Sequence, residues 1–156
     1  MPVRTELTPG VISEVLARIG VEAEARAAIA LTPIALLVER QAKVNASNGE
    51  HAYGTRTPSG GDPAGPARIS GTLVRSITHT EPRLSATGWE VLVGMDAGLY
   101  PWYSRRTPAS KYAYYLEVTG VRNGRRFPFL KPALDFAVHV GVYGVFVEVF
   151  GRPWPV

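Results

Sequence analysis

The chain has 156 residues, 46% of them hydrophobic and 19% charged, with a net charge of +4 and no cysteine. That is enough for one domain around one core, and it excludes a disulfide framework, a thiolate nucleophile and a cysteine metal site. No uninterrupted apolar run approaches the roughly 20 residues that cross a bilayer. The opening MPVRTELTPG lacks an apolar signal core, so neither a membrane partner nor export is expected.

Thr8 and Pro9 predict a helix start, because threonine offers a capping oxygen and proline at the first helical position lacks a donor that has no partner there. Val11, Ile12, Val15, Leu16 and Ile19 recur at helical spacing, and Gly20 predicts a left-handed stop. A second, alanine-rich helix is expected from about 21 to 46, with Leu31, Ile34, Leu37, Val38 and Val44 on one stripe. Pro33 either kinks it or, with Thr32 as cap, starts a new helix, and the continuous kinked helix is preferred. Residues 47–68 are dense in Gly, Pro, Ser and Asn and predict a long flexible loop.

Two strands are expected at 72–80 and 89–95, joined through 82–88 by a hairpin connection somewhat longer than the tightest turns. Ser110 is a candidate cap for a short helix over 111–118 that ends near Gly120, and Asn123-Gly124 marks a turn. Leu130, Leu134, Ala137, Val138 and Gly141 share a helical face, so a last helix is expected from about Lys131 into the 140s. Residues 142–150 are β-branched and glycine-interrupted, and by propensity alone they read as strand. Helix and strand both stay open there.

Charge is uneven. Residues 101–156 hold 8 of the 17 basic side chains, 3 of the 13 acidic ones and 12 of the 15 aromatic ones. Such a patch suits nucleic acid, an acidic protein surface or solvent. Arg122, Arg125 and Arg126, beside Phe127 and Phe129, form the best nucleic-acid candidate, since arginine grips phosphates and aromatics stack on bases. Pro128 and Pro132 bracket the phenylalanines, however, and favour a core role for them.

Catalytic patterns are missing. His51, His79 and His139 fall in a loop, a strand and a helix without ligand spacing. Gly60, Gly61 and Gly65 lack the lysine of a phosphate loop, and Ser70 and Ser76 lack a nucleophile elbow. Glu117 is the one acid in a basic, aromatic neighbourhood. As a general base it would stand alone; an ion pair with Arg75, Arg125 or Arg126, even across a subunit boundary, is the preferred reading. No enzyme activity, metal or cofactor is expected.

Several short motifs follow one another in order. Ala42-Lys43 is followed by Gly71, Leu73, Ser76 and Ile77, then by Tyr112-Ala113 with Leu116-Glu117, then by Pro128-Phe129-Leu130 with Pro132-Ala133-Leu134. This order and spacing, over about residues 30 to 140, resembles the head–tail joining or tail-completion proteins of lambda-like, long-tailed bacteriophages. The resemblance implies an α+β fold in a single domain over 1–156: N-terminal helices packed on a small antiparallel sheet, with a C-terminal helix. It also implies a virion structural protein, assembled in the host cytoplasm as a homo-oligomeric ring, a hexamer, at the phage neck. The ring would contact neighbouring neck and tail proteins and lie near DNA without reading its sequence. The candidate interaction residues are Arg75, Tyr114, Glu117, Arg122, Arg125 and Arg126. A small basic nucleic-acid-binding protein is the alternative.

Overall fold

The computed structural model describes residues 9–49, 66, 71–101, 107–120 and 126–154. Helix α1 spans Pro9–Asn45, 37 residues without a break. The stop expected at Gly20 is absent: the glycine sits inside the helix, with open space where a Cβ would stand. Pro33 is also internal, as expected. It cannot donate to the carbonyl of Ile29, yet both residues are exposed, so water can satisfy that carbonyl. Thr8 lies outside the described residues. So does most of the expected 47–68 loop, although its ends meet, with the Gly49 N–H donating to the Pro66 carbonyl at 3.2 Å.

The first expected strand is half helix. Gly71, in a left-handed conformation, leads into α2 (Thr72–Ser76), and only Ile77–His79 is strand β1. Ser76 turns its hydroxyl back onto the Leu73 carbonyl at 2.7 Å, a local bond that favours a turn over an extended chain. Strands β2 (Arg83–Ser85), β3 (Gly88–Glu90) and β4 (Val93–Met95) follow. β1 pairs antiparallel with β4, His79 opposite Val93, and β2 pairs with β3, Arg83 opposite Glu90.

Three residues separate β1 from β2 and two separate β3 from β4, so one long hairpin carries an extra residue between its two ladders. Pro82, which has no N–H to donate, lies in that interruption. The turn itself is just Ala86-Thr87, tighter than expected, because Arg83–Ser85 joins the ladder.

Helix α3 (Ala109–Tyr114) runs on through a wider π-helical turn, Tyr115–Thr119, and ends at Gly120 with φ 86°. Pro108, not Ser110, occupies the cap position, and no side chain caps this end. The Asn123-Gly124 turn lies outside the described residues. The C-terminal stretch is helical throughout: α4 (Leu130–Phe136), a π-helical turn (Ala137–Gly141) and α5 (Val142–Phe150). The strand option for 142–150 is therefore wrong. Packing along α1 overrides β propensity there.

The π turn has a packing consequence. In a regular helix at about 100° per residue, Val149 would sit about 160° around from Ala133. The widened turn brings it back towards the same side, and Ala133, Ala137 and Val149 are all buried. At Gly141 the approach to α1 is so close that a Cβ would stand 1.9 Å from Leu37 Cδ2.

The core lies where the C-terminal half of α1 meets α2, β1, α3 and α4. Val38, Ala42, Ile77, Leu116, Phe127 and Phe129 are among its members. Both phenylalanines are core, as the flanking prolines suggest. The fold is α+β.

Candidate functional site

Glu117 does not pair with an arginine among the described residues. Its Oε2 accepts the backbone N–H groups of Phe129 at 2.8 Å and Leu130 at 3.1 Å, and its Oε1 accepts that of Lys131 at 2.8 Å. A helix start leaves its first four N–H groups unpaired, and at α4 the fourth belongs to Pro132 and does not exist. One carboxylate thus satisfies every orphan donor of that helix and places negative charge at the positive end of its dipole. The Asn45 amide holds the Phe129 carbonyl at 3.1 Å, and the Phe127 N–H returns to the Leu116 carbonyl at 2.9 Å. Within the described residues Glu117 is thus a helix cap and pairs with neither Arg75 nor Arg126; Arg125 lies outside them.

The other candidate residues do not converge. Arg75 is exposed on the last turn of α2, Tyr114 is exposed with its ring edge-on to Tyr115, and Arg126 is exposed just ahead of Phe127. Arg122 and Arg125 lie outside the described residues, as do His51, Ser70 and the glycines at 60, 61 and 65. His139 is exposed on the C-terminal helix, and Ser76 is buried with its hydroxyl used locally. Among the described residues no three His, Asp or Glu side chains are grouped to hold a metal.

Two polar clusters escaped the sequence reading. Arg26 is 6% exposed. Its guanidinium pairs with Glu22 at 2.8 Å and donates to the carbonyls of Val149, Phe150, Arg152 and Pro153, at 3.3, 3.4, 2.8 and 2.7 Å. It also lies 4.4 Å from the centroid of the Trp154 ring. A cation thus closes the C-terminus of α5, where unpaired carbonyls concentrate. The available signal was a lone arginine in line with Ala30, in an otherwise alanine-rich run.

The second cluster joins helix to sheet. Glu39 bonds Lys43 one turn on and the ring nitrogen Nδ1 of His79 on β1. Burial pushes the Glu39 carboxyl up, but the hydrogen bonds and charges of Lys43 and His79 outweigh it and hold it below the ordinary glutamate value. An open groove of about 560 Å³ runs beside this cluster, between Leu36 and Asn48.

Larger than either cluster is an apolar surface. The C-terminal helix, Leu130–Phe150, has a mean hydropathy of 1.6, and only 17% of its apolar window is buried. By length and composition it is long and apolar enough to cross a membrane. This corrects the expectation from uninterrupted runs, which Lys131, Asp135, His139 and Glu148 had broken up. Tyr143 is 79% exposed, and Leu134, Val138, Val140 and Val147 each exceed half.

A helix that is apolar nearly all round and uncovered is unfinished as a free surface. At the other end of the molecule, every residue of α1 from 13 to 21 is exposed, including Leu16 at 62%. No protein family, curated protein or solved structure matches this chain.

Proposed function

We propose that this chain is a structural subunit of a bacteriophage neck, a head–tail connector or tail-completion protein that works as a ring of identical copies in the virion. The observation that carries this reading is the uncovered C-terminal helix. A monomer in water rarely presents so much apolar surface, whereas a subunit that meets two neighbours needs it.

The motif order supports the same reading. Leu116-Glu117 and the Pro128–Leu134 segment, which the sequence resemblance treats as separate motifs, form one hydrogen-bonded joint in this chain. Their co-occurrence therefore has a physical reason.

A membrane could also cover the helix. Against this, the helix lies along α1 from Asn45 at one end to Arg26 at the other, and α1 carries Glu22, Glu39, Arg40 and Lys43 beside it. Carrying those charges into hydrocarbon costs several kcal/mol each, so a protein surface is the better cover.

Deleting the gene from the phage that carries it and imaging the lysate tests the proposal. The expected result is full heads and complete tails left unjoined, with joining restored by the purified protein. Normal particles from the deletion would sink it. A monomer that binds duplex DNA, with affinity falling steeply in salt, would favour the nucleic-acid alternative.

A further inference from the structure

We infer that the N-terminal arm of α1 packs antiparallel on the uncovered side of α5 in a second copy of this chain. The inference deepens the subunit reading and rests on it for the premise that copies associate.

Among the described residues nothing covers the arm. Arg26 is tied to the carbonyls of residues 149–153, so α1 and the C-terminal helix run antiparallel and the latter ends at Arg26. From Arg26 back to Pro9 the chain is unbroken helix, about 25 Å long. On this arm Val15, Leu16 and Ile19 fall on one helical stripe and are 40%, 62% and 40% exposed. A helix of this length is marginal in water without a packed face. A second copy can supply one.

The C-terminal helix offers the matching face. Val138, Tyr143, Phe146 and Val147 are between 46% and 79% exposed. Phe146, Val147 and, at its edge, Tyr143 lie where the arm can reach them, whereas Leu134, Val138 and Val140 lie beyond it. The aromatic anchors lie towards α5, where contacts of this kind concentrate binding energy. Gly144 sits among them with nothing within 4 Å of a built Cβ, which leaves room for a neighbour's helix to come close.

Charge fixes direction and register. The arm carries Glu14 and Arg18, four residues apart; α5 carries Glu148, which pairs at 3.6 Å with Arg152 just past the helix end, their side chains 75% and 63% exposed. Laid antiparallel, Arg18 meets Glu148, Glu14 meets Arg152, and Ile19 falls over Val147. The other exposed pair, Lys131 and Asp135, has the opposite order and would set like charges against the same antiparallel arm.

Sedimentation velocity on the full chain, with circular dichroism as the folding control, tests the contact. The wild type is expected to associate. Leu16→Glu and Val147→Glu should each weaken association about tenfold or more while helicity stays, since both side chains are exposed. Arg18→Glu should weaken it, and Arg18→Glu with Glu148→Arg should restore it.

A monomeric wild type overturns the inference. So does a Leu16→Glu variant that associates normally, or an Arg18→Glu variant rescued by Asp135→Arg in place of Glu148→Arg. Insertion of the helix into phosphatidylglycerol–phosphatidylcholine vesicles, with the arm dispensable, overturns it too. If Leu16→Glu abolishes association yet heads and tails join without this protein, the neck reading fails and the contact stands. If Leu16→Glu leaves both association and joining intact, the contact fails and the neck reading stands.

Discussion

Glu117, Arg26 and Glu39 each tie together segments far apart in the chain, and each makes a separate prediction. Glu117→Ala leaves the N–H of Phe129, a fully buried residue, without its acceptor and strips the α4 start of its cap. The expected loss is about 2–3 kcal/mol of unfolding free energy in urea titration, with Glu117→Gln losing less because its carbonyl oxygen still accepts. An unchanged midpoint for Glu117→Ala would mean that water replaces the cap without cost. Arg26→Ala should cost about 3 kcal/mol and speed amide exchange over residues 145–154. Arg26→Lys should recover only part, since an ammonium cannot span four carbonyls and stack on Trp154. For Glu39 the sign follows from a folded pKa held below the unfolded one. Its contribution is fully present above the ordinary glutamate value, near 4.5, and is lost as pH falls through the folded pKa. Glu39→Gln should therefore flatten the loss of stability below about pH 4.5, measured by denaturation at a series of pH values. An unaltered acid limb would assign that loss to other carboxylates.

At the level of elements, the sequence spoke through local signals and failed where a distant partner decided. The helix carried through Pro33 and the hairpin around 77–95 follow from residues near one another. Gly20 misled because a glycine stop needs a left-handed residue, and this one stays helical in open space. It should act as a plain weak spot: Gly20→Ala is expected to favour the arm helix by about 0.5–1 kcal/mol. The gain should appear as stronger helical dichroism and slower exchange over 13–21, and hardly in global unfolding, since the arm does not pack on the body. Thr72-Leu73-Val74 has strand composition but follows a left-handed Gly71 and folds back through the Ser76 hydroxyl, so β propensity lost to local hydrogen bonding. Residues 142–150 lost it to packing instead, on the part of α1 that follows Arg26. The candidate site was legible only in part. Phe127 and Phe129 could be assigned to the core from their prolines, but nothing at Glu117 announces that its three partners begin 12 residues on. Arg26 likewise owes its role to carbonyls more than 120 residues away.

For the whole molecule, the two kinds of surface imply different responses to salt, and this separates the assembly reading from its alternative. The uncovered arm and C-terminal helix are apolar, with a few charges beside them. Association through them should bury apolar surface, give a negative heat-capacity change in titration calorimetry and strengthen on warming from 5 to 25 °C. Raising salt from 50 to 500 mM should change the dissociation constant only by a few-fold, because only the Arg18–Glu148 and Glu14–Arg152 contacts are screened. The basic turn at Arg122, Arg125 and Arg126 behaves differently. Glu117 already accepts three backbone N–H groups at the start of α4, and Arg126 makes no ion pair with it. If DNA is the partner of this turn, affinity should fall by orders of magnitude over the same salt range, as released counterions require. Replacing the three arginines with alanine should then leave self-association and the melting temperature unchanged, because Arg126 is exposed and the core joint does not use it. The outcome expected here is salt-tolerant self-association in the triple variant together with loss of head–tail joining, assigning the basic turn to a neighbouring ring. Joining that survives in the triple variant would take the basic turn out of the neck contact. A self-association that collapses with salt would show the apolar helix is not what holds the copies together.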